Sequence, residues 1–290
     1  MYLIKSTVDT SSVCSLRCGG TCLNAYYPQK ISDLEYLAMR SADKLFLGGM
    51  TNTLLVSDYD GIAVFSDGFK GIKVRDNEII VGSGERLATV CNLVADVGLS
   101  GVEALCGIPG TIGGAVVNNS GAFGTEISDV IEEVTVYNFD TKQVEKLSRE
   151  EIAFSYRYSN LRKNSDFIIS VKLNLFSQDK QRIFAKMQEV REKRRLTQPS
   201  KKSLGSVFRS HEGVSAGYYL DKAGLKGKRI GGMSISTLHA NFIVNDGMGT
   251  AEEYEELVAF AKSAVQKEFG IKLKEEVLII GEKERQRNGS

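Results

Sequence analysis

The sequence is poor in the residues that several common chemistries require. It holds only two histidines, His211 and His239, and no G-x-S-x-G elbow, so a hydrolase triad is unsupported. A lone His239 reads as a hydrogen-bonded structural histidine. Only three prolines occur, and no internal repeat or low-complexity segment is visible. There is no run of about 18 apolar residues, so no helix spans a bilayer. Met1–Thr10 has neither the roughly 7–15-residue apolar core nor the cleavage pattern of a signal peptide, so a cytoplasmic protein is expected. Asn288-Gly289-Ser290 matches a glycosylation sequon, which without a secretory route reads as an accident of a polar tail. Neither sign of charge is in useful excess: 37 Lys and Arg face 36 Asp and Glu, leaving no field that favours nucleic acid or an acidic membrane. The five cysteines include no C-x-x-C pair, and free thiols are expected. Cys14, Cys18 and Cys22 are spaced as an iron–sulfur site could be. Gly19 and Gly20, however, interrupt any helix that would align them, so no metal is expected.

What the sequence has is glycine in one place. Six glycines fall within the eighteen residues Gly107 to Gly124, GIPGTIGGAVVNNSGAFG, with no charged side chain among them. Bare backbone N–H groups could form a concavity for an anion, held by dipoles alone. The same spacing fits a tight loop that packs small residues against a sheet. A second cluster, Gly48-Gly49-Met50-Thr51-Asn52-Thr53, lies between the apolar runs Lys44–Leu47 and Leu54–Val56. Its pattern fits a phosphate cradle, and fits a hairpin turn better.

With 290 residues the chain can bury a large core and form two or three domains. Ser32–Arg40 reads as a short helix with Ser32 as N-cap. Ile79–Gly84 is strand then turn, but Leu87 stands where a dinucleotide-binding fingerprint needs glycine, so that reading fails. Glu85–Val97 is a helix ended by Gly98. Val130–Phe139 and Phe167–Phe176 alternate as strands. Arg182–Arg195 is a charged connecting helix, followed by a boundary near 190–200. Thr250–Phe269 is an amphipathic helix with Tyr254, Leu257, Val258, Ala261 and Val265 on one face. In a closing strand Glu276, Leu278 and Ile280 would point the same way.

Several of these segments, in order, resemble the UDP-N-acetylenolpyruvoylglucosamine reductase family. GIPGTIGGAVVNNSGAFG is similar to its second flavin loop. Leu47–Asp58 is similar to its first, GGGSNLLV, with Met50 in place of glycine and Thr51 in place of serine. Ser15–Thr21 resembles its opening strand and Gly-Gly pair. Phe154–Ser159 matches F-x-Y-R-x-S/T. Gly205–Ser210 resembles GSVFKNP, with Arg209 for lysine and Ser210-His211 for Asn-Pro. Ala216–Gly227, Ile230–Gly232 and His239–Asn245 continue the match. Leu273–Gly281 follows L-x-x-E-V-R-I-I-G, with Leu278 for arginine. The stretch between Ser159 and Gly205 is too short for a substrate-capping insertion, as in the shorter form of the family.

The resemblance implies an α+β protein: an FAD-binding fold of the vanillyl-alcohol-oxidase type, made of two α/β subdomains at 1–70 and 71–190 with FAD between them. A C-terminal α+β substrate domain at 191–290 would cover the reactive face of the flavin. It implies that FAD, reduced by NADPH, passes hydride to the enolpyruvyl group of a UDP-sugar during peptidoglycan precursor synthesis. Cofactor contacts would come from Gly48, Gly49, Met50, Thr51, Asn52 and Thr53. Others would come from Gly107, Ile108, Pro109, Gly110, Thr111, Gly113, Gly114, Asn118, Gly121 and Ala122. Arg157 and a protonated Glu276 would steady the developing enolate, and Ser206 would deliver the proton. Tyr158 and Arg209 would bind substrate. A monomer is expected, with neither nucleic acid nor membrane as partner. Two rival readings stand beside this one: a flavin oxidoreductase of the same fold with another substrate, and a non-catalytic flavin- or nucleotide-binding relative.

Overall fold

The computed structural model describes Leu3, residues 5–163 and residues 165–281; the sequon at Asn288 lies outside the described residues. The chain divides into two compact units. One comprises Met1–Ser6, Asn24–Gly49 and Gly61–Arg194, the other Thr7–Leu23, Met50–Asp60 and Arg195–Ser290.

The first unit is built on a five-stranded antiparallel sheet. Its order is Gln143–Ser148, Ile131–Asn138, Asp166–Asn174, Glu78–Gly82 and Ile72–Arg75. The alternation predicted for Ile131–Asn138 is present, and both of its faces are covered by apolar residues. Val134 and Val136 enter one cluster, and Tyr137 and Phe139 enter another. That second cluster is aromatic: Phe46 lies 5.1 Å from Phe139 and 5.6 Å from Phe167, ring centre to ring centre. Helix α1 (Ile31–Ala38) feeds Leu34 and Leu37 into it. Helix α2 (Leu87–Asp96) presents Leu87, Val90, Cys91 and Val94 to the larger cluster at helical spacing. Helix α3 (Ile112–Val117) occupies the middle of the glycine stretch. Helix α4 (Lys180–Thr197) is charged but not merely a connector, since Ile183, Met187 and Val190 are buried in the same cluster. Each fully buried aliphatic side chain stabilises by about 1.5–3 kcal/mol, enough to fix the register of α4.

Two predicted helix starts are displaced. Ser32 is not the N-cap of α1. Lys30, extended at φ −149°, holds that position, and the Asp33 carboxylate accepts the Gln29 N–H. Helix α2 starts at Leu87 because Arg86 is extended and the Glu85 carboxylate is committed to the Gly71 N–H. The hairpin reading of Gly48–Thr53 is also overturned. The flanking strands belong to different sheets: Lys44–Leu47 runs parallel to Tyr59–Phe65, and Thr53–Leu55 runs parallel to Leu278–Ile280.

The second unit carries a four-stranded antiparallel sheet ordered Lys202–Ser206, Phe242–Asn245, Met233–Ile235 and Arg229–Ile230. Helix α5 (Ala216–Lys222) is capped by Ser215 and is followed by Gly224 at φ +68°. Helix α6 (Ala251–Phe269) opens with a capping box between Thr250 and Glu253 and closes on left-handed Gly270. Its predicted face of Tyr254, Leu257, Val258, Ala261 and Val265 is buried. Ser15–Gly20 is a turn-rich loop and not a strand; the strand begins at Thr21. Gly20 has no room for a side chain, because a Cβ there would stand 2.3 Å from the Ser57 carbonyl carbon. The Asn245 amide donates to Leu16 O at 2.9 Å, tying this loop to the sheet.

All five cysteines are free and buried, and no group of three His, Cys, Asp or Glu among the described residues is placed to hold a metal ion. Burial pushes the thiols of Cys18 and Cys91 up to about 12 and that of Cys22 up to about 11. Since the thiolate is the nucleophile, these thiols should be inert in the folded protein near pH 8. A colorimetric disulfide reagent should label them only after denaturant is added; rapid labelling of the native protein would contradict their burial.

Candidate active site

The two glycine clusters meet inside the first unit. A Cβ on Gly48 would stand 2.6 Å from Thr111 Oγ1, and one on Gly49 would stand 3.4 Å from Gly110 Cα. Thr111 is the N-cap of α3, accepting the Gly114 N–H at 3.3 Å. The glycine stretch serves the packing role that its spacing allowed. Part of it packs: Gly113 donates to Ser83 O at 2.9 Å, Ile112 donates to Glu85 O, and a Cβ at Gly113 would be 3.0 Å from Ser83 Cβ. Gly49 and Gly110 face each other as bare main chain. The buried Asn118 Oδ1 has no hydrogen-bond partner within the protein. Bare main chain at Gly48, Gly49 and Gly110, and a buried acceptor with no partner in the protein, are features that fit a flavin nucleotide.

Arg157 lies in the same unit, in the two-residue turn of a hairpin formed by Phe154–Ser155 and Tyr158–Ser159. It adopts φ +56°, unusual for a residue with a Cβ. Its guanidinium donates to Gly121 O at 2.9 Å, reaches Glu126 at 3.9 Å and lies 4.9 Å from the Tyr156 ring centre. The hairpin is anchored from behind. Asn119 donates to Ser155 O at 3.1 Å and to Glu126 at 2.7 Å, and Ser159 Oγ donates to Val117 O at 3.0 Å. The predicted flavin residues Gly121 and Ala122 form one arm of a second small hairpin, paired with Thr125–Glu126. Tyr158 is half-buried beside Arg157 in the chain.

The second unit holds the remaining predicted residues. Met50 is buried with φ +46°. The methionine that replaces a glycine thus keeps a glycine-like backbone and sends its side chain inward. Its carbonyl accepts the Ser15 N–H at 3.1 Å. Asn52, Ser206 and Glu276 are joined through the backbone. Asn52 donates to Glu276 O at 3.1 Å, Glu276 N donates to Val207 O at 2.8 Å, and Leu278 N donates to Asn52 O. Glu276 is half-buried and precedes the strand Leu278–Ile280, so the alternation expected to include it stops short. Ser206 ends Lys202–Ser206 opposite Phe242. Asn241 fixes the next residues by accepting the Phe208 N–H and donating to Phe208 O. Arg209 is held by its N–H on Lys274 O, while its buried Nε has no hydrogen-bond partner in the protein. His239 is structural, as predicted: its Nδ1 accepts the Asn241 N–H, and burial lowers its basicity.

Sequence reading assigned no role to Asn119 and Asn241, although both lie in matched segments, nor to Glu126, which lies outside them; all three orient the predicted residues. It also missed Arg194, which lies against Gly107. Gly48→Ala should dislodge the Thr111 hydroxyl and cost about 1 kcal/mol, the usual worth of an N-cap. Thr111→Gly in the same chain should recover most of that loss, measured by thermal unfolding. Additive losses would show that the contact does not couple the two loops.

Two family models match the chain: an FAD binding domain over residues 31–146, and the C-terminal domain of UDP-N-acetylenolpyruvoylglucosamine reductase over 198–280. The first spans both glycine clusters, the second spans Ser206, Arg209 and Glu276, and Arg157 lies between them. The reductase of Lactobacillus delbrueckii subsp. bulgaricus is 35% identical over 285 residues, covering 96% of both chains. That of Listeria innocua is 36% identical over 286 residues, covering 96% of this chain and 95% of its own. The crystal structure of UDP-N-acetylenolpyruvylglucosamine reductase from Thermus caldophilus superposes with a TM-score of 0.85 at 32% identity, over 96% of this chain and 99% of that one. The α+β fold is thus an FAD-binding domain followed by the C-terminal domain of this reductase family, and its cofactor is FAD. Matched along nearly its whole length, the chain belongs to the UDP-N-acetylenolpyruvoylglucosamine reductase family.

Proposed function

We propose that this chain reduces the enolpyruvyl group of UDP-N-acetylglucosamine enolpyruvate to UDP-N-acetylmuramate, with NADPH as reductant, in peptidoglycan precursor synthesis. The observation that carries the reading is that Arg157, Ser206 and Glu276 are all retained in a chain matched end to end by reductases of this name. Bound FAD supplies hydride chemistry that no side chain offers. The bare main chain at Gly48, Gly49 and Gly110, with Asn118, would hold it.

Arg157 is a forked, permanently charged donor held by its bond to Gly121 O. It stabilises negative charge as it develops on the substrate carboxylate. Glu276, in its acid form, donates a second hydrogen bond to the same group. Ser206 delivers a proton to the carbon next to the carboxylate. Arg209, with its buried Nε lacking a protein partner, offers a donor to an anionic part of the sugar nucleotide, and Tyr158 lines the substrate. The same reading assigns flavin binding to 1–70 and 71–190, substrate binding to 191–290, and a cytoplasmic monomer as the working form.

Ser206→Ala tests the assignment because the two half-reactions need different groups. Anaerobic bleaching of the flavin by NADPH should keep its wild-type rate. Reoxidation by the enolpyruvyl sugar should slow about a hundred- to ten-thousand-fold, the usual cost of losing a positioned general acid. Sugar affinity should change little. Stopped-flow absorbance separates the two steps, and equal slowing of both, or of neither, would remove Ser206 from the proton-donor role. Wild-type protein whose NADPH-reduced flavin is not reoxidised by this sugar would point to a different substrate.

A further inference from the structure

The uncharged glycine stretch has a cation placed against it from elsewhere in the chain. A Cβ on Gly107 would stand 2.5 Å from Arg194 Cδ and 2.7 Å from its Nε, so the arginine lies directly on the bare Cα of Gly107. Helix register drives it there. Ile183, Met187 and Val190 form the buried stripe of α4, and Arg194 is the next position on that stripe, four residues after Val190. Arg194 is half-buried, and burial lowers its basicity; the opposing influence is the Cys106 thiol. Burial holds that thiol in its protonated form, so it cannot neutralise the guanidinium. No carboxylate among the described residues pairs with Arg194. Its neighbour Arg191 is turned to the Asn92 amide at 2.7 Å and also brings no negative charge. A partly desolvated cation without a counter-charge is costly unless an anion binds beside it.

We propose that Arg194 supplies the positive charge that faces the anionic part of a flavin bound at the glycine stretch. The proposal rests on the flavin reading above and adds a residue outside the predicted site. Two parts of FAD carry negative charge: its diphosphate, and its ring once reduced. Gly107 is then glycine so that the arginine can pass over the loop, and the loop needs no charged residue of its own.

Arg194→Met keeps an unbranched stem on Gly107 and removes the charge; Arg194→Lys keeps the charge and loses the fork. Affinity of the apo-protein for FAD and for riboflavin is read by quenching of flavin fluorescence, and the midpoint potential of bound FAD by dye equilibration. Removing a charge-assisted hydrogen bond should weaken the ligand about 10- to 100-fold. A loss of that size for FAD but not riboflavin in Arg194→Met, smaller in Arg194→Lys, supports contact with the diphosphate. Unchanged affinities with a lowered midpoint potential in Arg194→Met support contact with the reduced ring. Unchanged affinities and potential overturn the proposal. So does equal weakening of FAD and riboflavin in both variants with a matching fall in Tm, which is the mark of packing alone. Failure of the wild-type protein to bind any flavin would overturn the functional reading itself.

Discussion

The first unit depends on backbone segments coming closer than any side chain permits. At Gly48 the space a Cβ would need is already occupied by the Thr111 hydroxyl, and at Gly113 a Cβ would press on Ser83. Close-packed interiors do not yield to an added methyl at such points without backbone movement. The strand Lys44–Leu47, the turn at Ser83 and helix α3 are therefore locked together by contact distance. The walls where Gly49 and Gly110 meet are bare main chain. Such walls suit a nucleotide cofactor, because their dipoles are fixed before the ligand arrives and need no reordering to meet it.

Backbone strain marks the same unit. Asn119, Phe123 and Arg157 are all left-handed although each bears a side chain. A non-glycine residue in this conformation costs on the order of 1–3 kcal/mol and persists only where surrounding contacts enforce it. For Arg157 those contacts come from Asn119, which bonds the chain beneath the turn and also holds Glu126. Asn119 is thus a support for the guanidinium, and its own left-handed conformation lets its side chain reach both partners.

Much of this was legible from residue order, and the parts that were not have physical causes. The motifs singled out Arg157, Ser206 and Glu276 because motif recognition needs only local sequence. Alternation exposed the strand Ile131–Asn138, although it could not show that Tyr137 and Phe139 face a second apolar cluster rather than solvent. Helix starts were misplaced at Ser32 and Glu85: Lys30 holds the cap position of α1 with no side-chain bond, and the Glu85 carboxylate is taken by the Gly71 N–H while Arg86 is extended. The Gly48–Thr53 turn misled because a glycine between two apolar runs looks alike whether its strands pair with each other or with strands far away. Arg194 escaped notice since a basic helix end is ordinarily solvated. Only the buried stripe of α4 turns it inward.

The course of the chain has a consequence for synthesis on the ribosome. The second unit takes residues 7–23 and 50–60 from the start of the chain and the rest from Arg195 onward. The contacts that close it span almost the full length: Asn245 to Leu16 is 229 residues, and Asn52 to Glu276 is 224. Closing loops of that size is entropically slow, so although the two early segments can bond each other, through Ser15 N–H to Met50 O and Gly20 N–H to Leu55 O, their contacts with the C-terminal part wait until its last residues emerge. The cysteine-bearing loop Cys14–Cys22 therefore completes its packing late. The bonds of Leu16 to Asn245 and of Ser15 to Ser203 stay unmade through most of translation, which makes this stretch a place for chaperones to act.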